Sequence, residues 1–538
     1  MIISGFLTKS ELIGQVSTFV EQKFKIPTLR TEDQLTPVLD NFIDDLVVYV
    51  EYPYVEKFYR DTYYHFYSMK YNQYDRNCIR LSFFKDIVEE DHIYSGKNPE
   101  IAKDNYLGYI TLRPTSYNII GNSFLSPNVL KIHNFVCCQT KKEILLRGYK
   151  LSIQGFSYAT QDKEFITCSE TSLLNLIEYF GTKYAEFSVL LPSQIVKILS
   201  KQSFERQLPS KGMQTEYISF TLKKLGFGTV VYSLEDGVYS WDELKKILYI
   251  YIESGLPFIA NLSTGKNHHS VLVIGRENID SDVEVIDKKD NHKNLTSTIK
   301  KVFEQITGNP VDNNSHRNFY FSDFFDKLLV MNDGAAPYQI VSFDNPLQAA
   351  DNKSYSIKSI IVPLFPKVHL EAFQLMELFP TVLKQIDKLG DDKNKITSTD
   401  FLNPVGDNIF RHFLTSCKSY KSYLSKLDSS SKFIDAVIDK SMPRYVWIIE
   451  VIFGRTLHKK QDINSIFIID ATESGYDHHL IFASNSNYTI VRSYDKTGMN
   501  SVKYGNLEQT GTYHYLEFGL NNISIFADNL IGNHNHDN

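Results

Sequence analysis

Three residue types in this 538-residue chain stand in an order that supports nucleophilic catalysis: a cysteine at a helix start, a histidine opening a strand, and a carboxylate or amide at a strand end. The cysteine is Cys168. Thr167 and Glu170 flank it with the spacing of a capping box, which makes Thr167 the N-cap. Leu173, Leu176, Ile177 and Phe180 then recur at helical spacing on one stripe, and Gly181 reads as the stop. Cys168 therefore falls on the first helical position, beside unpaired N–H groups and the positive end of the helix dipole. A thiol ionises most readily there, and the thiolate is the nucleophile.

The base is His269, within Asn267-His268-His269-Ser270, at the head of the apolar run Val271–Ile274. His268 should face the opposite side of that strand, because neighbouring strand residues alternate. Two places compete for the group that orients the imidazole. One is Asp333, with Asn332 beside it, after the strand Lys327–Met331. The other is Asp287, after the weak strand Val283–Ile286. Upstream, the Gln161 side-chain amide could donate to the oxyanion of an acyl transfer. A rival pair, Cys417 with His478 or His479, lacks support because Arg411–Ser419 reads as helix, with Cys417 in its middle and no capping pattern.

Several elements must position these groups. Helical patterns cover 33–50, Pro192–Gln202, Thr215–Leu225, Trp241–Glu253, 368–389 and 406–426. Strand-like runs cover Gly108–Arg113, Val129–Cys138, Leu145–Ile153, Phe258–Leu262, His269–Gly275, Lys327–Met331, Tyr445–Phe453, Ser465–Ile469, Leu480–Ala483, Tyr488–Val491 and Tyr513–Phe518. Cys137 and Cys138 read as packing residues of their strand. Residues 277–318 are polar and read as an insertion, Ala349–Ser354 as a linker, and the tail with His534 and His536 as a frayed end. The expected division is an N-terminal mixed α/β region over 1–145, a catalytic domain over 146–345, and a C-terminal mixed α/β region over 346–538.

The segment 155–345 resembles the papain-like cysteine peptidases, particularly their compact bacterial C39-like branch. The resemblance is carried by Gln161-Asp-Lys-Glu-Phe-Ile-Thr-Cys168, the helix to Gly181, Gly212-Met-Gln-Thr215 before Leu222–Phe227, Gly255-Leu-Pro-Phe-Ile259 and His268–Gly275. It covers about a third of the chain and implies an α+β fold, with the cysteine helix packed on an antiparallel sheet bearing the histidine. It implies Cys168 as nucleophile, His269 as base, Gln161 as oxyanion donor and Asp333 as third member, with no metal or organic cofactor. The chain departs from the family in having Ser169 where Gly or Ala usually follows the cysteine. Gln161 also lies seven residues before Cys168, where six is common. The same residue order serves transglutaminase-like amidases, arylamine acyltransferases and phytochelatin synthases, and the fold could also persist as an inactive binding module.

Bulk composition excludes more than it assigns. Charged residues make up 22% and hydrophobic ones 42%, with a net charge of −6, so nothing draws the chain to nucleic acid or anionic membrane. Five cysteines are too few for a disulfide framework in a chain this long and suit a reducing, cytoplasmic setting. No apolar run is long enough to span a bilayer, and the N-terminus lacks the pattern of a signal peptide. The expected partner is a protein or peptide substrate, with the flanking regions available for a further protein partner or self-association.

Overall fold

A computed structural model describes residues 3–85, 88, 99–132, 134–203, 206–279, 283–284, 318–347, 354–388, 396–403, 406–427, 431–458, 461–474, 479–492, 508–510, 513–521 and 523–532. The architecture is mixed α+β, with eleven α-helices and three large sheets among these residues. Pairing in the three sheets is antiparallel except where Asn318–Tyr320 runs parallel to Asn408–Ser416. No described helix is long and apolar enough to cross a membrane.

The N-terminal sheet orders its seven strands Ile3–Thr8, Leu46–Tyr54, Cys78–Lys85, Tyr106–Leu112, Ser123–Leu125, Tyr149–Tyr158 and Thr140–Leu146. Two expectations are corrected here. The helix expected over 33–50 occupies Thr28–Leu39, and the chain is a strand from Leu46. The run Leu46-Val-Val-Tyr-Val is rich in β-branched and aromatic residues, and it is paired along both edges. The strand expected over 145–153 is the closed end of a hairpin. It turns at Arg147-Gly148, where φ is +50° and +88°.

The central sheet carries the site. Its path runs Gln339–Ser342, Lys327–Met331, His268–Glu277, Phe258–Ser263, Ser356–Leu364 and Gly228–Ser233. The sheet crosses both expected domain boundaries. Phe135–Cys137 joins it from the N-terminal region and pairs with both the His269 strand and Ile531–Gly532. Ser356–Leu364 lies between Phe258–Ser263 and Gly228–Ser233, so a strand placed by sequence in the C-terminal region is interior to this sheet.

The third sheet comprises Asn318–Tyr320, Asn408–Ser416, Tyr445–Phe453, Ser465–Asp470, Leu480–Ser484, Thr489–Arg492, Tyr513–Leu516 and Glu508–Thr510. Here the helix expected over 406–426 divides into a strand to Ser416 and a helix Cys417–Leu424. The strand is buried along almost its whole length, so its apolar residues do not show the two-residue alternation that marks a half-exposed strand.

The helix Trp241–Glu253 bridges the second and third sheets. At its end, the buried Glu253 receives Arg276 Nε at 2.5 Å from the His269 strand and Arg411 Nε at 2.7 Å from the third sheet. Arg411 Nη1 also donates to Glu450 at 2.7 Å. Each buried charge meets an opposite one, which offsets the desolvation that an isolated buried ion would suffer. Arg276 and Arg411 hold the Glu253 carboxyl below its ordinary range despite the opposing effect of burial. The network fixes the His269 strand against the C-terminal part of the chain.

Candidate active site

Cys168 opens the helix Cys168–Lys183 as its first residue. The Glu170 half of the capping box is made: its carboxylate accepts the Thr167 N–H at 3.2 Å and the Thr167 hydroxyl. The helix runs through Gly181 and is capped at Tyr184. Gly181 serves close packing instead of termination, since a Cβ there would lie 2.9 Å from the Val189 nitrogen. Upstream, one Asp162 oxygen gathers the N–H groups of Glu164, Phe165 and Ile166 at 3.0, 2.7 and 2.8 Å. That buried carboxylate folds the chain between Gln161 and Cys168 into a tight loop.

His269 stands beside Cys168 from the adjacent sheet, on the strand His268–Glu277 in register with Leu262. His268 is exposed and His269 is largely covered, as strand alternation requires. A polar chain locks strand to helix. Ser172 Oγ donates to the Ser270 carbonyl at 3.3 Å, and Ser270 Oγ donates to Asn261 Oδ1 at 2.8 Å. Asn261 Nδ2 then donates to Thr215 Oγ1 at 2.9 Å.

The orienting group comes from the strand Lys327–Met331, whose Met331 pairs with Leu272. The next two residues reach the imidazole together. His269 Nε2 lies 2.9 Å from Asn332 Oδ1 and 3.4 Å from Asp333 Oδ1. Asn332 Oδ1 also accepts the Gly334 N–H at 3.1 Å, an Asx turn that aims the oxygen at the ring. The shortest contact thus belongs to Asn332, with Asp333 as a second, charged neighbour. The signal for Asn332 was its position in Asn332-Asp-Gly334, a sequence suited to an Asx turn. Asp287 lies outside the described residues.

Burial alone would lower the His269 pKa. The neighbouring Cys168, the charge of Asp333 and the contact with Asn332 outweigh it and raise the pKa to about 9. Burial raises the Asp333 carboxyl, while the His269 charge pulls it back. Gln161 presents its side-chain amide and backbone N–H to this carboxyl, but neither Asp333 oxygen completes a well-formed hydrogen bond. Gln161 therefore sits within the site with its amide turned toward Asp333.

Ser169 uses its hydroxyl. Its Oγ accepts the Met213 N–H at 2.8 Å, which binds the segment Gly212–Met213 to the first turn of the Cys168 helix. A glycine or alanine at 169 could not make this bond. A small cleft of about 50 Å³ borders the same segment and is lined by Glu170 and Leu174. Those residues lie about 200° and 240° around the helix from Cys168, so this cleft lies behind Cys168 and does not lead to it.

The N-terminal region braces the site through groups that sequence patterns do not mark. Tyr158 Oη donates to the Ala335 carbonyl at 2.5 Å, and Tyr338 Oη donates to the Leu125 carbonyl at 2.7 Å. These bonds hold both flanks of the Asn332 turn. Asn118 Nδ2 donates to the Gln161 carbonyl at 2.9 Å, and Arg113 Nη2 to the Thr160 carbonyl at 2.7 Å.

The rival cysteine is placed differently from expectation. Cys417 is the first residue of its own helix, capped by Ser416 Oγ, which accepts the Ser419 N–H at 3.0 Å. Burial raises its thiol pKa, and the Lys421 charge opposes that shift. His479 turns Nδ1 toward the Asp470 carbonyl at 3.2 Å, and His478 lies outside the described residues. Among the described residues, no group of three or more His, Cys, Asp or Glu is arranged to hold a metal ion. No protein-family model matches the chain, and no curated protein matches it in sequence.

Proposed function

We propose that the chain is a thiol-dependent amide hydrolase, a cysteine peptidase of the papain-like type, acting on a protein or peptide through Cys168, His269 and Asn332. The observation that carries this reading is the imidazole of His269. Its Nε2 lies 2.9 Å from Asn332 Oδ1, and the ring stands near enough to the helix-start Cys168 for that side chain to raise its pKa. With Nε2 committed to the amide, Nδ1 is the nitrogen that serves the thiol.

The chemistry follows from the protonation state. At neutral pH an imidazole with a pKa of about 9 carries its second proton, and the reactive form of the cysteine beside it is the thiolate. The thiolate attacks the substrate carbonyl carbon, and the carbonyl π electrons move to oxygen. The Cys168 backbone N–H, at the helix start, is positioned to stabilise that oxyanion. Collapse of the intermediate breaks the C–N bond while His269 gives its proton to the leaving nitrogen, leaving a thioester on Cys168. His269, now neutral, takes a proton from water as that water attacks the thioester. The acid leaves and the thiolate–imidazolium pair is restored. Asp333 supports the positive ring at 3.4 Å.

Gln161 takes part as oxyanion donor in this scheme only if its amide leaves Asp333 for the substrate. The direct test is hydrolysis of a degenerate peptide library by the full chain and by Cys168→Ala. The variant should show no turnover. Equal turnover in both would dispose of the proposal. A non-hydrolytic acyltransferase on the same residues would instead give turnover only when an amine acceptor is added.

A further inference from the structure

Three of the large exposed hydrophobic side chains line two neighbouring grooves beside the Cys168 loop. Tyr71 is fully exposed, Met69 is 73% exposed and Tyr117 is 49% exposed. These belong to two grooves that meet at Lys70: one lined by Arg30, Tyr71 and Tyr117, the other by Met69 and Arg206. Large exposed apolar side chains gathered in one place mark an interaction surface. The ionic balance is also local. The two linings together contain Arg30, Lys70 and Arg206 against a single carboxylate, Glu164, in a protein whose net charge is −6. Lys163 adds a cation over the Tyr117 ring, 5.5 Å from its centre.

This surface is wired to the site. Glu164 pairs with Lys70 and lies four residues before Cys168. The Glu164 carbonyl accepts the Ser210 N–H at 2.7 Å, and Ser210 Oγ in turn receives the Gly212 N–H at 3.2 Å. Gly212 adjoins Met213, which Ser169 holds.

We propose that the double groove centred on Lys70 is a docking site for an extended protein segment that alternates acidic and large apolar residues. Aromatic faces and the Met69 thioether take the apolar side chains, and Arg30 and Arg206 take the carboxylates. A single-stranded nucleic acid would also stack on tyrosines. It would need a longer track of cations than these two linings offer.

The test reads binding, so it stands apart from the hydrolytic proposal, and an inactive chain still answers it. The full-length Cys168→Ala chain is titrated against a fluorescein-labelled peptide alternating Glu or Asp with Leu or Phe, read by anisotropy. The same titration is run with a peptide carrying Lys in place of the acids and with a labelled oligothymidylate. Saturable binding of the acidic peptide is expected. It should weaken by about tenfold or more in Arg30→Glu/Tyr71→Ala/Tyr117→Ala, whose altered residues are exposed, and should fall with added salt. An unchanged thermal midpoint of that variant excludes unfolding. No binding of the acidic peptide, equal binding of the Lys peptide, unchanged affinity in the variant, or preference for oligothymidylate would each overturn the proposal.

Discussion

Cys168 and Cys417 occupy the same local structure. Each is the first residue of a helix preceded by a hydroxyl N-cap, and each is partly exposed. A helix dipole and a row of N–H groups are therefore common to both. The surroundings differ. Cys168 stands beside the His269 imidazole, whose pKa is raised to about 9 and which is backed by Asn332 and Asp333. Cys417 is moved mainly by burial, which favours its neutral thiol, with the Lys421 ammonium in opposition. A capped helix start is thus a shared platform. The chemistry is decided by what a neighbouring strand delivers to it.

The comparison breaks most severely at the sulfur itself. Cys168→Ala should lower peptide hydrolysis by about a thousandfold or more, while Cys417→Ala should leave kcat/KM within about twofold, read by steady-state kinetics on one peptide. Nearly as large an effect is expected from excising residues 146–345. That segment lacks Ser356–Leu364 inside the central sheet and the partners of Tyr338 and Gln161. It should show no cooperative thermal unfolding and no turnover.

The next effects sharpen the division between the two groups behind His269. Asn332→Ala should cost about 10- to 100-fold in kcat with the fold retained, because the ring loses the contact that fixes its orientation. Asp333→Asn should act on pH dependence. His269 has its pKa raised from 6.5 to about 9, so it is protonated at neutral pH and loses its proton as pH rises through 9. Hydrolysis needs that proton for the leaving nitrogen, so the rate should fall above about pH 9 in the parent. Removing the Asp333 charge should bring this alkaline limb to lower pH, measured as kcat/KM against pH. An unmoved limb would assign Asp333 to structure alone. The smallest effect is expected at Ser169. Ser169→Ala removes the acceptor for Met213 N–H and should cost about 1 kcal/mol of stability, read by chemical denaturation.

Much of the site was legible in sequence because its signals are local. The capping residues around Cys168, the strand opening at His269 and the turn at Asn332-Asp-Gly334 are each visible within a few residues. The choice between Asn332 and Asp333 was not, since it rests on which side chain the Asx turn directs at Nε2. The braces from Tyr158 and Asn118 were hidden as well, because they join positions distant in sequence. Fold errors have the same origin. Asn408–Ser416 is buried on both faces, so its apolar residues lose the two-residue alternation and pass for a helix. The helix start at Cys417 was lost with it. The central sheet was misjudged in extent because its members are drawn from residues 135–364 and 531–532, and no local pattern announces a shared sheet.

The central claim is that His269, and not the helix start, sets Cys168 apart. Iodoacetamide alkylation of the full chain at pH 6 to 9, with each cysteine quantified by mass spectrometry, tests this most directly. Cys168 should be modified faster than Cys417 across that range, and in His269→Ala its rate should fall to that of Cys417. Equal rates for the two cysteines in the parent chain, or a fast Cys168 that survives His269→Ala, would contradict it.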